Sequence, residues 1–247
     1  MISDPGFYAA AIPAVLLLGL AKSGFGVGFG SLATPLLALA VPVPQAAAIL
    51  LPVLLVIDVL GVSALIRHCD WVLVRRLLPT ALLGIAVGAL TFGLLPTKTV
   101  AGVVGAITLG VLAVRVGFPP RADAPPPSHA LGRVLAGVSG FTSFVAHAGG
   151  PPIGFYVLPL KLAPIVLSST LGVFFAVVNL AKWAPYAALG LLDLRNFTTS
   201  LALLPFAPVG VWVGVRFVKR ASPQLFYRLF HAGLFCAGVK LLYDGFF

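Results

Sequence analysis

Residues 21–35, AKSGFGVGFGSLATP, break an otherwise apolar run with four glycines, and a weaker echo stands at residues 138–152, VSGFTSFVAHAGGPP. Inside a bilayer every backbone N–H and C=O needs a partner. A glycine- or proline-broken stretch is therefore tolerated at membrane depth only where protein buries it or where it lines a polar cavity. Two such breaks at corresponding places in two halves of a chain point to a transporter's binding site. The membrane setting follows from composition: 60% of the 247 residues are hydrophobic, 9% are charged, and the mean hydropathy is +1.10. Soluble domains are far less apolar and carry more charge. The chain thus reads as an all-α polytopic integral membrane protein.

Glu is absent and the acids are Asp4, Asp58, Asp70, Asp123, Asp193 and Asp244, which leaves little for carboxylate metal sites or acid/base catalysis. The net charge of +10 comes mostly from bases in short loops, an ordinary topology signal and not a nucleic-acid footprint. No cofactor or metal motif is present. Cys69 and Cys236 lack any paired or metal-type spacing, and Cys236 is expected to pack in an apolar interior. An acid and no base precede the first apolar stretch, so the N-terminus is expected to be retained.

Apolar runs near the length of a spanning helix define a first broken region at residues 7–43 and spans near 44–66, 72–95 and 99–117. A polar, proline-rich linker follows at 118–129, FPPRADAPPPSH, separating an N-terminal repeat, 1–117, from a C-terminal one, 130–247. The second half repeats the plan, with a broken region at 130–162 and spans near 163–189, 197–218 and 223–243. Ser23-Gly24-Phe25 aligns with Ser139-Gly140-Phe141, and the same 116-residue offset sets Pro35 on Pro151. Further on, Leu77, Leu78, Pro79, Gly84 and Gly88 match Leu203, Leu204, Pro205, Gly210 and Gly214 at an offset of 126. The shared order of these matches indicates duplication.

Topology turns on what the broken regions do. If each crosses fully, loop bases divide eight to five between the two faces. If each is a re-entrant hairpin, Arg67, Arg75, Arg76, Arg115, Arg121, Arg133, Lys161, Arg216, Lys219 and Arg220 share one face against Lys98, Arg195 and Lys240 on the other. The positive-inside tendency favours hairpins, with both termini periplasmic and the two halves forming inverted repeats.

Hairpins leave short helices whose free ends expose N–H groups and a partial positive charge near the membrane middle, which suits an anion. Candidate binding residues are Lys22, Ser23, Gly24, Gly26, Ser31 and Thr34 at the first break, and His147, Gly149 and Gly150 at the second. The competing reading of the glycines is close helix packing. Lys22 is either a partner for an anion or a snorkelling lysine. His147, at the position of Ser31 in the first half, either donates to an anion, carries a coupling proton or is held by a backbone carbonyl. Asp58 and Asn179 fall at the middle of matching spans. Asn179 joins the binding candidates. Asp58 is a candidate for proton coupling, or for a structural pair with Lys22 or Lys182. Lys182, beside Trp183 and Pro185, reads as a residue snorkelling at the outer mouth.

GFGVGFGSLATPLLAL at Gly24–Leu39 and GFTSFVAHAGGPPIGFYVLPL at Gly140–Leu160 resemble the TauE/SafE family of sulfite-exporter-like permeases. The first break departs from the Gly-Gly-Gly run of many members. The resemblance extends along most of the chain by span count and linker position. It implies a bacterial inner-membrane permease for a small anion, such as sulfite, thiosulfate, a sulfonate or a short carboxylate. The lipid bilayer is its setting, a proton is a candidate coupling ion, and a homo-oligomer is compatible with it. The rivals are an anion channel, an accessory membrane subunit and an intramembrane enzyme. The last lacks HExxH, paired aspartates at depth and CxxC.

Overall fold

The computed structural model describes residues 2, 4–25, 32–37, 40–41, 43–92, 94, 96–117, 126–190 and 192–246, and all regular structure among them is helical. In the first half these are α1 (Pro5–Leu20), prolonged by a π-helical turn (Ala21–Phe25), α2 (Ala33–Leu37), α3 (Val43–Leu65), α4 (Trp71–Leu90) and α5 (Thr97–Gly117). The second half contains α6 (His129–Ala146), α7 (Gly150–Val157), α8 (Pro164–Ala181), α9 (Trp183–Ala188), α10 (Leu194–Leu203), α11 (Phe206–Val218) and α12 (Pro223–Phe246). Among the described residues five helical stretches are long and apolar enough to cross a bilayer, six if α10 and α11, bent by 50° at Leu204-Pro205, form one span. Proline at that bend cannot donate to the helix ladder.

The scarce acids are spent mainly at helix starts. Asp4, Asp70 and Asp193 cap α1, α4 and α10 by accepting from the N–H groups of Gly6, Leu73 and Asn196. Each cap satisfies a donor that the first helical turn leaves without a partner. Asp244 pairs with Lys240 one turn away. Among the described residues Asp58 is then the one acid in the interior.

The second broken region is a hairpin. α7 runs back along α6: the Ser139 hydroxyl donates to the Gly149 carbonyl, and a Cβ on Gly132 would run into the Tyr156 ring. α8 then starts beside the beginning of α4, where the Asp70 N–H donates to Thr170 Oγ1. In the first half α2 packs along α1. α3 then runs the same way as α1, since residues 45–49 and Ile2 both lie near 196–200 while Lys22 meets Asp58.

One end of the molecule therefore gathers the α3–α4 corner, the start of α6, the α7–α8 turn and the α11–α12 turn, linked by Arg76 with His129 and by the Tyr227 hydroxyl donating to the Leu162 carbonyl. Arg67, Arg75, Arg76, Arg133, Lys161, Arg216, Lys219 and Arg220 belong to that end, whereas Lys98, Arg195 and Lys240 lie toward the other. The Arg115 side chain and Arg121 lie outside the described residues.

Packing between the halves is reciprocal. α1 with its π turn lies against α11, and α6 lies against α4. Both contacts are close enough to forbid a side chain. A Cβ on Gly84 would stand 2.0 Å from the Gly137 carbonyl oxygen, and one on Gly24 would stand 2.7 Å from Gly214 Cα. In lipid such small-residue seams let backbones approach and supply the packing that drives helix association. α3 and α8 cross antiparallel: Leu65 lies near Ser169, and Asp58 near Asn179. α5 and α12 are antiparallel too, with Gly102 against Gly245 and Gly105 against Leu242. Cys69, at the α3–α4 corner, has its thiol pushed above the usual range, chiefly by burial. Cys236 is exposed on α12 and not in the interior, because it falls on the face turned away from α5; the expectation for it is corrected.

Candidate functional site

The two breaks meet around a partly open cavity of about 50 Å³. A single water needs roughly 10–15 Å³ on this measure, so the space suits a few waters or one small anion. Lys22 and Thr34 from the first broken region line it, with Ser143, His147 and Gly150 from the second and Phe175 and Asn179 from α8. Leu18, Leu50 and Leu54 complete an apolar wall.

Lys22 stands in the π turn, where one extra residue per turn disturbs the regular ladder, a device common at functional sites. Its ammonium pairs with Asp58 Oδ1 and lies 5.9 Å from the centre of the Phe175 ring. The other oxygen, Asp58 Oδ2, accepts from Asn179 Nδ2 at 2.6 Å. One carboxylate thus ties the first break to α8 of the second half. Of the two partners expected for Asp58, Lys22 is the one it meets.

Lys182 is where the structure departs most from the sequence reading. It is fully buried and does not snorkel. α8 ends at Ala181, and α9 resumes two residues on at Trp183, so helical chain continues on both sides of the lysine. Its three ammonium hydrogens find Ser143 O at 3.2 Å, Ser143 Oγ at 3.1 Å and His147 Nδ1 at 3.2 Å. All three acceptors are neutral when the imidazole is. Accepting at Nδ1 puts the ring proton of a neutral His147 on Nε2. His147 is a left-handed C-cap of α6, φ 51°, which swings its ring off the helix toward Lys182 and Tyr186. The Tyr186 hydroxyl is engaged with the Phe144 carbonyl at 2.8 Å.

The cluster therefore contains two lysines and one carboxylate. With all three ionised it holds one positive charge in excess, at a depth where an uncompensated ion is expensive. Among the described residues no three His, Cys, Asp or Glu side chains gather in a way that could hold a metal ion.

Several candidates from the sequence do not reach this cavity. Gly24 is a packing glycine against α11. Ser23 is buried on the far side of Lys22, beside Gly61. Gly149 caps α7, and its carbonyl is taken by Ser139. Gly26 and Ser31 lie outside the described residues. Ser143 and Lys182 were not singled out as binding residues. Ser139, Ser143 and His147 recur every four residues, which lays a polar stripe on one face of α6, and that spacing is the signal that could have revealed Ser143.

Fold and site together define a polytopic helical membrane protein whose halves enclose a charged cavity. The chain belongs to the sulfite exporter TauE/SafE family, whose model matches residues 11–241; it is accordingly a member of a family of sulfite exporter-like membrane transporters. No curated protein and no solved structure matches it.

Proposed function

We propose that this protein is a secondary carrier for a small anion, of the sulfite, thiosulfate, sulfonate or short-carboxylate class, working by alternating access. The observation that carries the reading is Lys182, an interior ammonium that among the described residues is hydrogen-bonded to neutral acceptors alone, directly behind Ser143 and His147 of the cavity wall. An anion placed there gains a desolvated cation on one side and Lys22 on the other, and its own charge offsets the excess of the cluster. Thr34 Oγ1 and the Gly150 N–H are further donors, while Pro151 and Pro152 behind Gly150 have no N–H to give. Charge balance limits the cargo. The cluster becomes neutral with one monovalent anion, or with a dianion accompanied by one proton on Asp58.

Helix directions that fit an inverted repeat support the mechanism. The matching pairs α3/α8 and α5/α12 are antiparallel, and Asp58 touches its counterpart Asn179. Rocking one half against the other would open the cavity toward either end in turn. The end richer in bases is the cytoplasmic one of a bacterial inner membrane, which puts both termini in the periplasm.

The test is counterflow in proteoliposomes. Vesicles preloaded with unlabelled sulfite, thiosulfate, taurine, sulfoacetate or lactate should take up the matching labelled anion transiently above equilibrium, with saturation. Flux that is neither saturable nor stimulated by exchange would make the protein a channel. Absence of any anion flux would leave an accessory subunit.

A further inference from the structure

On the opposite side of Lys22 from the anion cavity lies a second, much smaller polar space. Its volume is about 10 Å³, and Ser23, Asp58, Gly61, Ser168 and Gly172 line it together with Lys22. That is room for one water at most. Ser23 is only 2% exposed, and its hydroxyl has no hydrogen-bond partner among the described residues. Buried hydroxyls are rarely left so, and the usual explanation is an ordered water. Ser168 Oγ has spare capacity as well, since it reaches the Gly24 carbonyl only at 3.5 Å.

The two spaces share Lys22 and divide the groups it contacts: Asp58 lines only the smaller one, and Phe175 only the larger. Leu65, the last residue of α3, also borders the small chamber, so it points toward the base-rich end.

We propose that this chamber holds a single water that delivers the coupling proton to Asp58 from the base-rich end, on a route separate from the anion's. The inference rests on the carrier reading above. A proton arriving from that end is taken up by the water, which passes one of its own protons to an Asp58 oxygen and is regenerated unchanged. Ser23 and Ser168 orient the water by hydrogen bonding. Neutral Asp58 no longer holds the Lys22 ammonium, which is freed for the anion, and deprotonation reverses the exchange. Each stage keeps Lys22 paired, first with Asp58 and then with the cargo. The other titratable groups facing this centre are His147 from the end of α6 and Lys182 from the α8–α9 junction, both on the anion's side. Among the described residues α4, α10 and α11 present none to either space.

Gly172 allows a clean test, because a Cβ there meets nothing within 4 Å and the residue is no part of the anion cavity. Gly172→Val should fill the chamber, with Gly172→Ala as the smaller control. In proteoliposomes, uptake driven by an imposed pH gradient should fall about tenfold or more in Gly172→Val while anion counterflow stays within about twofold, as expected for a blocked proton relay. Ser23→Ala, which removes a hydroxyl without adding bulk, should also lower the driven uptake and spare counterflow. Equal loss of both activities in these variants, or loss of neither, would overturn the chamber's role. Wild-type protein that exchanges anions with no response to a pH gradient would overturn it too, leaving the carrier intact. Wild-type protein without counterflow would remove the carrier reading itself.

Discussion

Lys182→Met should weaken apparent anion affinity roughly three-hundredfold and leave the fold at least as stable. Among the described residues the ammonium has no carboxylate as a hydrogen-bond partner, only Ser143 O, Ser143 Oγ and His147 Nδ1. Exchanging an interior charge for an apolar side chain of similar length is often neutral or stabilising, by about 1–4 kcal/mol. Losing a charge that offsets the cargo costs about 2–5 kcal/mol, or roughly three-hundredfold in apparent affinity near the middle of that range. Counterflow at a series of anion concentrations, set beside the thermal midpoint in detergent, reads both quantities. A lysine that merely supports the fold would give the opposite pattern, a lowered midpoint with exchange retained in the protein that survives.

Asp58→Asn should be the most destabilising single change in the interior, by about 3–5 kcal/mol, because it strands Lys22 at depth without its counter-charge. Asn179 can still bond an asparagine there, so the loss is assigned to the ion pair rather than to the contact with α8. Adding Lys22→Met to Asp58→Asn should recover most of the lost stability. Exchange should be absent in the double variant, since the cavity has then lost a wall cation. A double-mutant cycle on unfolding measures the coupling directly. Losses that simply add would mean the two side chains do not depend on each other, and the description of the pair would be wrong.

Much of this arrangement was legible in the residues, for identifiable reasons. The breaks around Lys22 and His147 stood out because glycine and proline are conspicuous against Leu and Val, and lipid tolerates them only under protein cover. Asp58 and Asn179 were matched by position alone, and they meet in space because α3 and α8 cross antiparallel at those residues. What the sequence concealed was depth. Lys182 sits beside Trp183 and Pro185, residue types common at an interface, and only the continuation of the chain through α9 keeps it in the interior. The glycines concealed their division of labour. Gly24 and Gly84 serve helix seams, whereas Gly150 borders the cavity, and composition does not distinguish the two uses. Cys236 could not be placed from an apolar run, since α12 is apolar on its lipid face as well as on its protein face.

The central claim is that the cargo anion sits between Lys182 and Lys22, and locating a bound anion tests it most directly. Selenite shares the pyramidal oxyanion shape of sulfite and scatters anomalously. Crystals grown at a selenite concentration that halves exchange should show one anomalous peak in the cavity, its oxygens within about 2.7–3.2 Å of Lys22 Nζ and facing the wall of Ser143 and His147 that holds Lys182. Selenite found only at the base-rich end or on the lipid-facing surface, while still inhibiting exchange, would contradict the account.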